Sequence, residues 1–267
     1  MVRRTLVPVG GIDRRGLLRG FGAAGLTGAG VVAGGSIVGW RDRADMRLRA
    51  DAAQSIEPRR ADSLRVMWRA TTTEKVLALT FDDGPVEELT APLLDLLDEA
   101  KVPATFCVVG SRAAEQESLL RRQVSGRHEL VNHTWEHPDL CLLGPSAVAD
   151  ELDRTDDVIR RATGSRPRMM RPPFGRLSGA VLEAAAERDL DVLMWDVRLH
   201  EKVGDGPADE AEVAQDVLDV LHPGMVLLGH DGGSGPHHVG VAAMPRVLRE
   251  AKARGYRFVT ASEMFAL

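Results

Sequence analysis

The sequence predicts an α/β domain built on a mostly parallel sheet or barrel, and three observations predict it. From Glu74 onward, short apolar runs rich in β-branched and aromatic residues alternate with stretches of helical periodicity. The acids and histidines best suited to chemistry stand where those runs end, as ligand-binding residues do in parallel α/β folds. The chain has 267 residues, 44% of them hydrophobic, enough for a sizeable core and too apolar for a disordered chain. Two cysteines cannot staple a small disulfide scaffold. No internal repeat or low-complexity tract interrupts the alternation.

The strands are expected at 75–81, 104–109, 129–132, 169–171, 191–195, 225–230 and 257–260. The helices between them are expected at 89–100, 112–125, 146–163, 178–188, 208–221 and 244–255. Ser146 and Ser178 suit N-caps because a side-chain oxygen can accept from the first turn. Gly126, Gly164 and Gly255 suit helix ends.

Charge divides the chain unevenly. Residues 1–49 carry nine arginines against three aspartates, a net of +6, which leaves −11 over the rest of a chain whose total is −5. Mild overall acidity argues against a nucleic-acid partner. Arg14-Arg15-Gly16-Leu17-Leu18-Arg19 opens an uncharged run from Gly20 to Trp40 that contains eight glycines. This resembles a twin-arginine export signal. Residues 1–40 are therefore expected to be a signal or membrane anchor, and the protein to be exported: extracellular, wall-associated or anchored facing outward. Contact with a membrane is expected only through this segment, if it is retained. Gly20-Phe21-Gly22-Ala23-Ala24-Gly25 fits G-x-G-x-x-G, but no strand precedes it, as a dinucleotide site requires. Residues 41–73 read as a linker or pre-domain segment, and 74–267 as the catalytic domain.

Four motifs follow strands. Asp82-Asp83-Gly84-Pro85 puts two carboxylates side by side at a strand end, where one can bind a metal while the other faces a water. His133-Thr134-Trp135-Glu136-His137 offers two imidazoles four residues apart, which one helical turn would present on one face. With Asp83 they make a three-ligand set that leaves open positions. Arg171-Pro172-Pro173-Phe174-Gly175 supplies a guanidinium that can hold a carboxylate, beside a stiff apolar loop. Leu228-Gly229-His230-Asp231-Gly232 supplies a histidine suited to general acid catalysis. Each has a plainer reading, as a solvated turn, surface histidines, a rigid loop or a backbone-bonded histidine.

In this order, the motifs resemble the polysaccharide deacetylase family, the NodB-type carbohydrate esterases. Ala104-Thr105-Phe106, Asn132, Pro138-Asp139-Leu140 and Gly255-Tyr256-Arg257-Phe258-Val259 extend the likeness over 74–267. The resemblance implies a distorted (β/α) barrel, a divalent metal, usually zinc, and removal of acetyl groups from an acetylated glycan such as peptidoglycan or chitin. It implies Asp82 as general base, Asp83, His133 and His137 as metal ligands, His230 as general acid and Arg171 as the residue orienting Asp82. Pro173, Phe174 and Leu228 would line the substrate site, and Trp135 its rim. One departure stands out: an Asp-Trp pair that the family often carries is Glu201-Lys202 here. Glu201, or else Asp196, is then the candidate for tuning His230. An O-acetyl esterase of the xylan type, a small-amide hydrolase and a silent glycan-binding protein are the alternative readings. Cys107 and Cys141 are expected to be buried thiols, His128 structural, and His237 and His238 part of a solvated glycine-rich loop. Oligomeric state is left open by the sequence.

Overall fold

The structure is a computed structural model that describes residues 64–203 and 206–267, the side chains of 202–207 excepted. The basic head, the Gly20–Gly25 sequence and most of the linker lie outside the described residues, as does the side chain of Lys202.

The strands are β1 (Val66–Met67), β2 (Val76–Asp82), β3 (Thr105–Val108), β4 (Glu129–Asn132), β5 (Met169–Met170), β6 (Asp191–Leu193), β7 (Val197–Arg198), β8 (Lys202–Val203), β9 (Gly206–Pro207), β10 (Met225–His230) and β11 (Arg257–Val259). All but the small antiparallel β8–β9 pair form one parallel sheet, in the order β1-β6-β5-β4-β3-β2-β10-β7. The expected α/β fold is present, as a parallel half-barrel with helices around it. β11 pairs with Val76–Ala78 at the start of β2, while β3 pairs with Thr80–Asp82 at its end. Both therefore share the edge opposite β10. β1 lies within the segment read as linker and closes the far edge on β6.

The helices are α1 (Glu87–Ala100), α2 (Gly110–Glu115), α3 (Glu117–Ser125), α4 (Pro145–Thr163), α5 (Gly179–Glu187), α6 (Glu210–Val220), α7 (His237–Ala253) and α8 (Ala261–Met264). The expected helix at 112–125 is two, because Gln116 leaves helical geometry at φ −119°, ψ 43°. Ser178 caps α5 as expected, accepting from Val181 N. Ser146 does not cap α4, which starts a residue earlier on Pro145, with Gly144 as cap. Proline suits the first turn, where its missing N–H has no partner to lose. α7 runs seven residues further back than expected, straight through Pro245. Its buried face, with Val239, Ala243, Met244, Val247 and Leu248, outweighs the hydrogen bond that Pro245 removes.

β2 is buried along its whole length, as a central parallel strand must be. Its side chains alternate between two cores. Leu77, Leu79 and Phe81 pack with Leu93, Leu94 and Leu97 of α1 and with Met244, Val247 and Leu248 of α7. Val76 and Ala78 face the other way, toward Cys107, Val131, Leu193 and Val226. Thr80 and Asp82 continue that second face. The same alternation that builds the core thus carries the Asp82 carboxylate into the interior of the half-barrel.

Candidate active site

An open cleft of about 880 Å³ lies at the C-terminal ends of the strands. Asp82, Asp83, His133, His137, Phe174, Leu228, His230 and Glu201 all line it. His230 is in register with Asp82 across the β10–β2 ladder. Arg171, directly after β5, is fully buried beneath the floor. Its guanidinium donates to Asp82 Oδ1 at 2.5 Å, Thr80 Oγ1 at 2.9 Å, and the carbonyls of Leu193 and Met194. The attraction of Asp82 outweighs burial and keeps Arg171 firmly charged.

Asp83 has a φ of +72°, which turns its side chain away from that of Asp82 and toward the two histidines. Its Oδ1 stands 3.1 Å from His137 Nε2 and 3.4 Å from His133 Nε2. His133 Nδ1 donates to the Arg171 carbonyl at 2.7 Å, which leaves Nε2 as the free lone pair on the cleft side. The 133–137 segment is not the helical turn that the spacing suggested. Thr134 and His137 both have positive φ, and side chains hold the turn: Asn132 Oδ1 accepts from Thr134 N, Thr134 Oγ1 from His137 N, and Glu151 from the amides of Trp135 and Glu136. His137 packs edge-on to Phe174, ring centroids 4.8 Å apart.

These three donors fit a divalent metal. Their ligand atoms lie within 4.8 Å of one another, and Asp83 Oδ1 is buried without a hydrogen-bond partner. Burial works to raise the Asp83 pKa, but the adjacent His133, with His137 and His230 beyond, outweighs it and pulls the carboxyl down to about 2. Two imidazoles and one ionised carboxylate, with room left on the cleft side, form an open metal-binding set.

On the other flank, Glu201 Oε2 lies 2.7 Å from His237 Nδ1 and 3.6 Å from His230 Nδ1. Burial disfavours the charged His230, and Glu201 together with the Asp82 and Asp83 carboxylates reverses that, so its pKa is raised. His237 is therefore not part of a solvated loop: it opens α7 and is buried against Glu201. His238, the next residue, is exposed.

Several expectations are corrected by position. Asp196 is turned to other partners than His230; it accepts from Val226 N and pairs with His222 at 2.9 Å, because it precedes β7, whose Val197 and Arg198 pair with Leu227 and Leu228 in the middle of β10. Pro173 is buried, and Pro172 borders the cleft in its place. Trp135 is not on the cleft: its ring packs on Gly110 and under the Arg154 guanidinium, 4.1 Å away. Cys107 is buried but Cys141 is exposed, and both are free. His128 accepts from Ala104 N in a structural role.

The cleft also holds residues that sequence reasoning did not single out. Arg112 donates to the Asp83 carbonyl, and Trp195 forms a wall. Asp231 is buried behind the site. It accepts from Thr90 at 2.7 Å, its backbone N–H donates to Asp82 O at 3.0 Å, and a Cβ on Gly84 would collide with its carboxylate. Asp231 stood within a quoted motif; Arg112 and Trp195 had no comparable signal.

Comparison with known proteins agrees with this geometry. A family model described as polysaccharide deacetylase matches residues 69–193. A peptidoglycan-N-acetylglucosamine deacetylase of Bacillus cereus is 33% identical over 203 residues, covering 74% of this chain and 92% of that protein. A chitooligosaccharide deacetylase of Bradyrhizobium sp. (strain ANU 289) is 39% identical over 160 residues, 58% of this chain and 69% of that protein. The crystal structure of the Bc1960 peptidoglycan N-acetylglucosamine deacetylase, in complex with 4-naphthalen-1-yl-N-oxidanyl-benzamide, matches with a TM-score of 0.71 at 28% identity, over 76% of this chain and 94% of that one. The chain belongs to the polysaccharide deacetylase family, hydrolases that act on carbon–nitrogen bonds.

Proposed function

We propose that the protein removes N-acetyl groups from an exported glycan, peptidoglycan or a chitin-type oligomer, with a divalent metal, zinc for preference. The observation that carries this reading is the convergence, in one cleft, of the Asp83–His133–His137 donor set, the Arg171-bound Asp82 and the Glu201-backed His230. A zinc ion on the three donors would polarise the acetyl carbonyl and make a bound water more acidic.

The side chains divide the remaining work. Asp82 takes a proton from the attacking water. Arg171 binds its Oδ1 and so leaves Oδ2 for that water, while four hydrogen bonds fix the guanidinium itself. His230, whose hold on its proton Glu201 strengthens, gives a proton to the departing amine, which is a very poor leaving group without one. Phe174, Pro172, Trp195 and Leu228 provide apolar walls for the sugar and the acetyl methyl. A substrate outside the membrane suits the twin-arginine-like head. The acidic body favours a neutral glycan over an anionic one.

The test is acetate release by zinc-loaded protein from peptidoglycan, chitin oligomers and acetylated xylan. Release from an N-acetylated substrate is expected. Release from xylan alone would turn the reading into an esterase, and release from none would favour a glycan-binding protein.

A further inference from the structure

Beside the Asp83 group lies a second cluster of similar chemistry. Glu201, His230 and His237 come from three segments: the loop after β7, the end of β10 and the first residue of α7. Their potential ligand atoms also fall within 4.8 Å of one another. Both imidazoles present Nδ1 to one oxygen, Glu201 Oε2, and only His237 is close enough to hydrogen-bond it. His230 Nδ1 and Glu201 Oε1 are buried with no hydrogen-bond partner. The two rings lie side by side, tilted by 30° with centroids 4.5 Å apart. A buried polar atom left unpaired has lost its water without replacement, which is costly. Two imidazoles and one carboxylate are also a donor set that zinc uses with a fourth position open.

We propose that Glu201, His230 and His237 form a second divalent-cation site, for ions of the zinc type, and that filling it inhibits the enzyme. A cation between the three would satisfy His230 Nδ1, which the carboxylate alone leaves unpaired. Access is from the cleft that all three line. The inhibitory half rests on the reading of His230 as proton donor. A metal-bound neutral imidazole is a far weaker acid than an imidazolium, so the leaving amine would go unprotonated. The site belongs to this chain's own residues: Glu201 hydrogen-bonds His237 and faces His230, and Gly240 leaves room for its carboxylate, since a Cβ there would strike Oε1.

The test counts ions. Chelator-stripped full-length protein is dialysed against excess Zn²⁺ and its metal content measured, for the wild type, His237→Ala, Glu201→Gln and His137→Ala. Glu201→Gln preserves shape and covers the case in which His237→Ala does not fold. Two zinc ions are expected per wild-type chain and one in each variant, and wild-type acetate release should fall as the second equivalent binds. A wild type that saturates at one ion, or His237→Ala and Glu201→Gln variants that still bind two, overturns the proposal. If His137→Ala leaves the count at the wild-type value while the other two lower it, the Asp83 group is at fault and the second site stands.

Discussion

The guanidinium of Arg171 and the carboxylate of Asp82 meet 2.5 Å apart inside the half-barrel, with Arg171 fully buried and Asp82 4% exposed. Eighty-eight residues lie between them in sequence, and parallel pairing from β2 through β3 and β4 to β5 brings them together.

Because the pair is buried, each partner depends on the other. Arg171→Met leaves Asp82 charged, desolvated and unpaired, and should destabilise the fold by about 3–5 kcal/mol. Chemical denaturation of variant and wild type measures it; a loss within experimental error of zero would mean that other groups carry the pair's role.

Asp82→Asn keeps the shape of the side chain and removes the base. Turnover should fall about 10²–10⁴-fold while zinc content stays at the wild-type level. Kinetics with elemental analysis on one preparation checks both. Near-normal turnover in metal-loaded variant protein would exclude Asp82 as the base.

The raised pKa of His230 fixes the alkaline limb of the pH–rate profile. The donor must be protonated, so activity is present below its pKa and is lost as pH rises through it. Glu201→Gln removes the strongest group holding the proton and should move that limb to lower pH. An unmoved limb in the variant would separate Glu201 from the proton donor.

Asp231 gives a stability effect of defined sign. Burial, helped by the Asp82 and Asp83 carboxylates, pushes its pKa up from 3.8 to about 7, against the hydrogen bonds of Thr90 and Gly84. The fold therefore favours the protonated acid. That stability is fully present below about pH 4 and is lost as pH rises toward 7, a fall on the order of 4 kcal/mol at about 1.4 kcal/mol per pKa unit. In metal-stripped protein, Asp231→Asn should lack this fall relative to wild type. Parallel stability curves for the two proteins across that window would contradict it.

The strand ends were readable in the sequence because periodicity and position coincide there. The apolar run of β2 ends on Asp82, and that of β10 ends on His230, so alternation alone indicates which acid enters the core. What escaped depends on contacts made across the fold. His237 sits among glycines and looks solvated until Glu201, 36 residues earlier, is folded against it. Glu201, with Asp196 as second candidate, could not be decided in sequence; pairing of β7 with the middle of β10 turns Asp196 toward His222 and leaves Glu201 at the cleft. Cys141 follows Leu140 in a three-residue helical turn whose single inward position Leu140 takes. Trp135, flanked by the two histidines, is drawn away by Arg154 on α4.

The most direct measurement is acetate release from peptidoglycan and from chitin oligomers by wild-type protein before chelation, after it, and after one equivalent of zinc is restored. The account predicts acetate from at least one N-acetylated substrate, its loss with the metal and its return with that single equivalent. Release that persists undiminished in metal-free protein, or no release from either substrate by zinc-loaded protein, would contradict it.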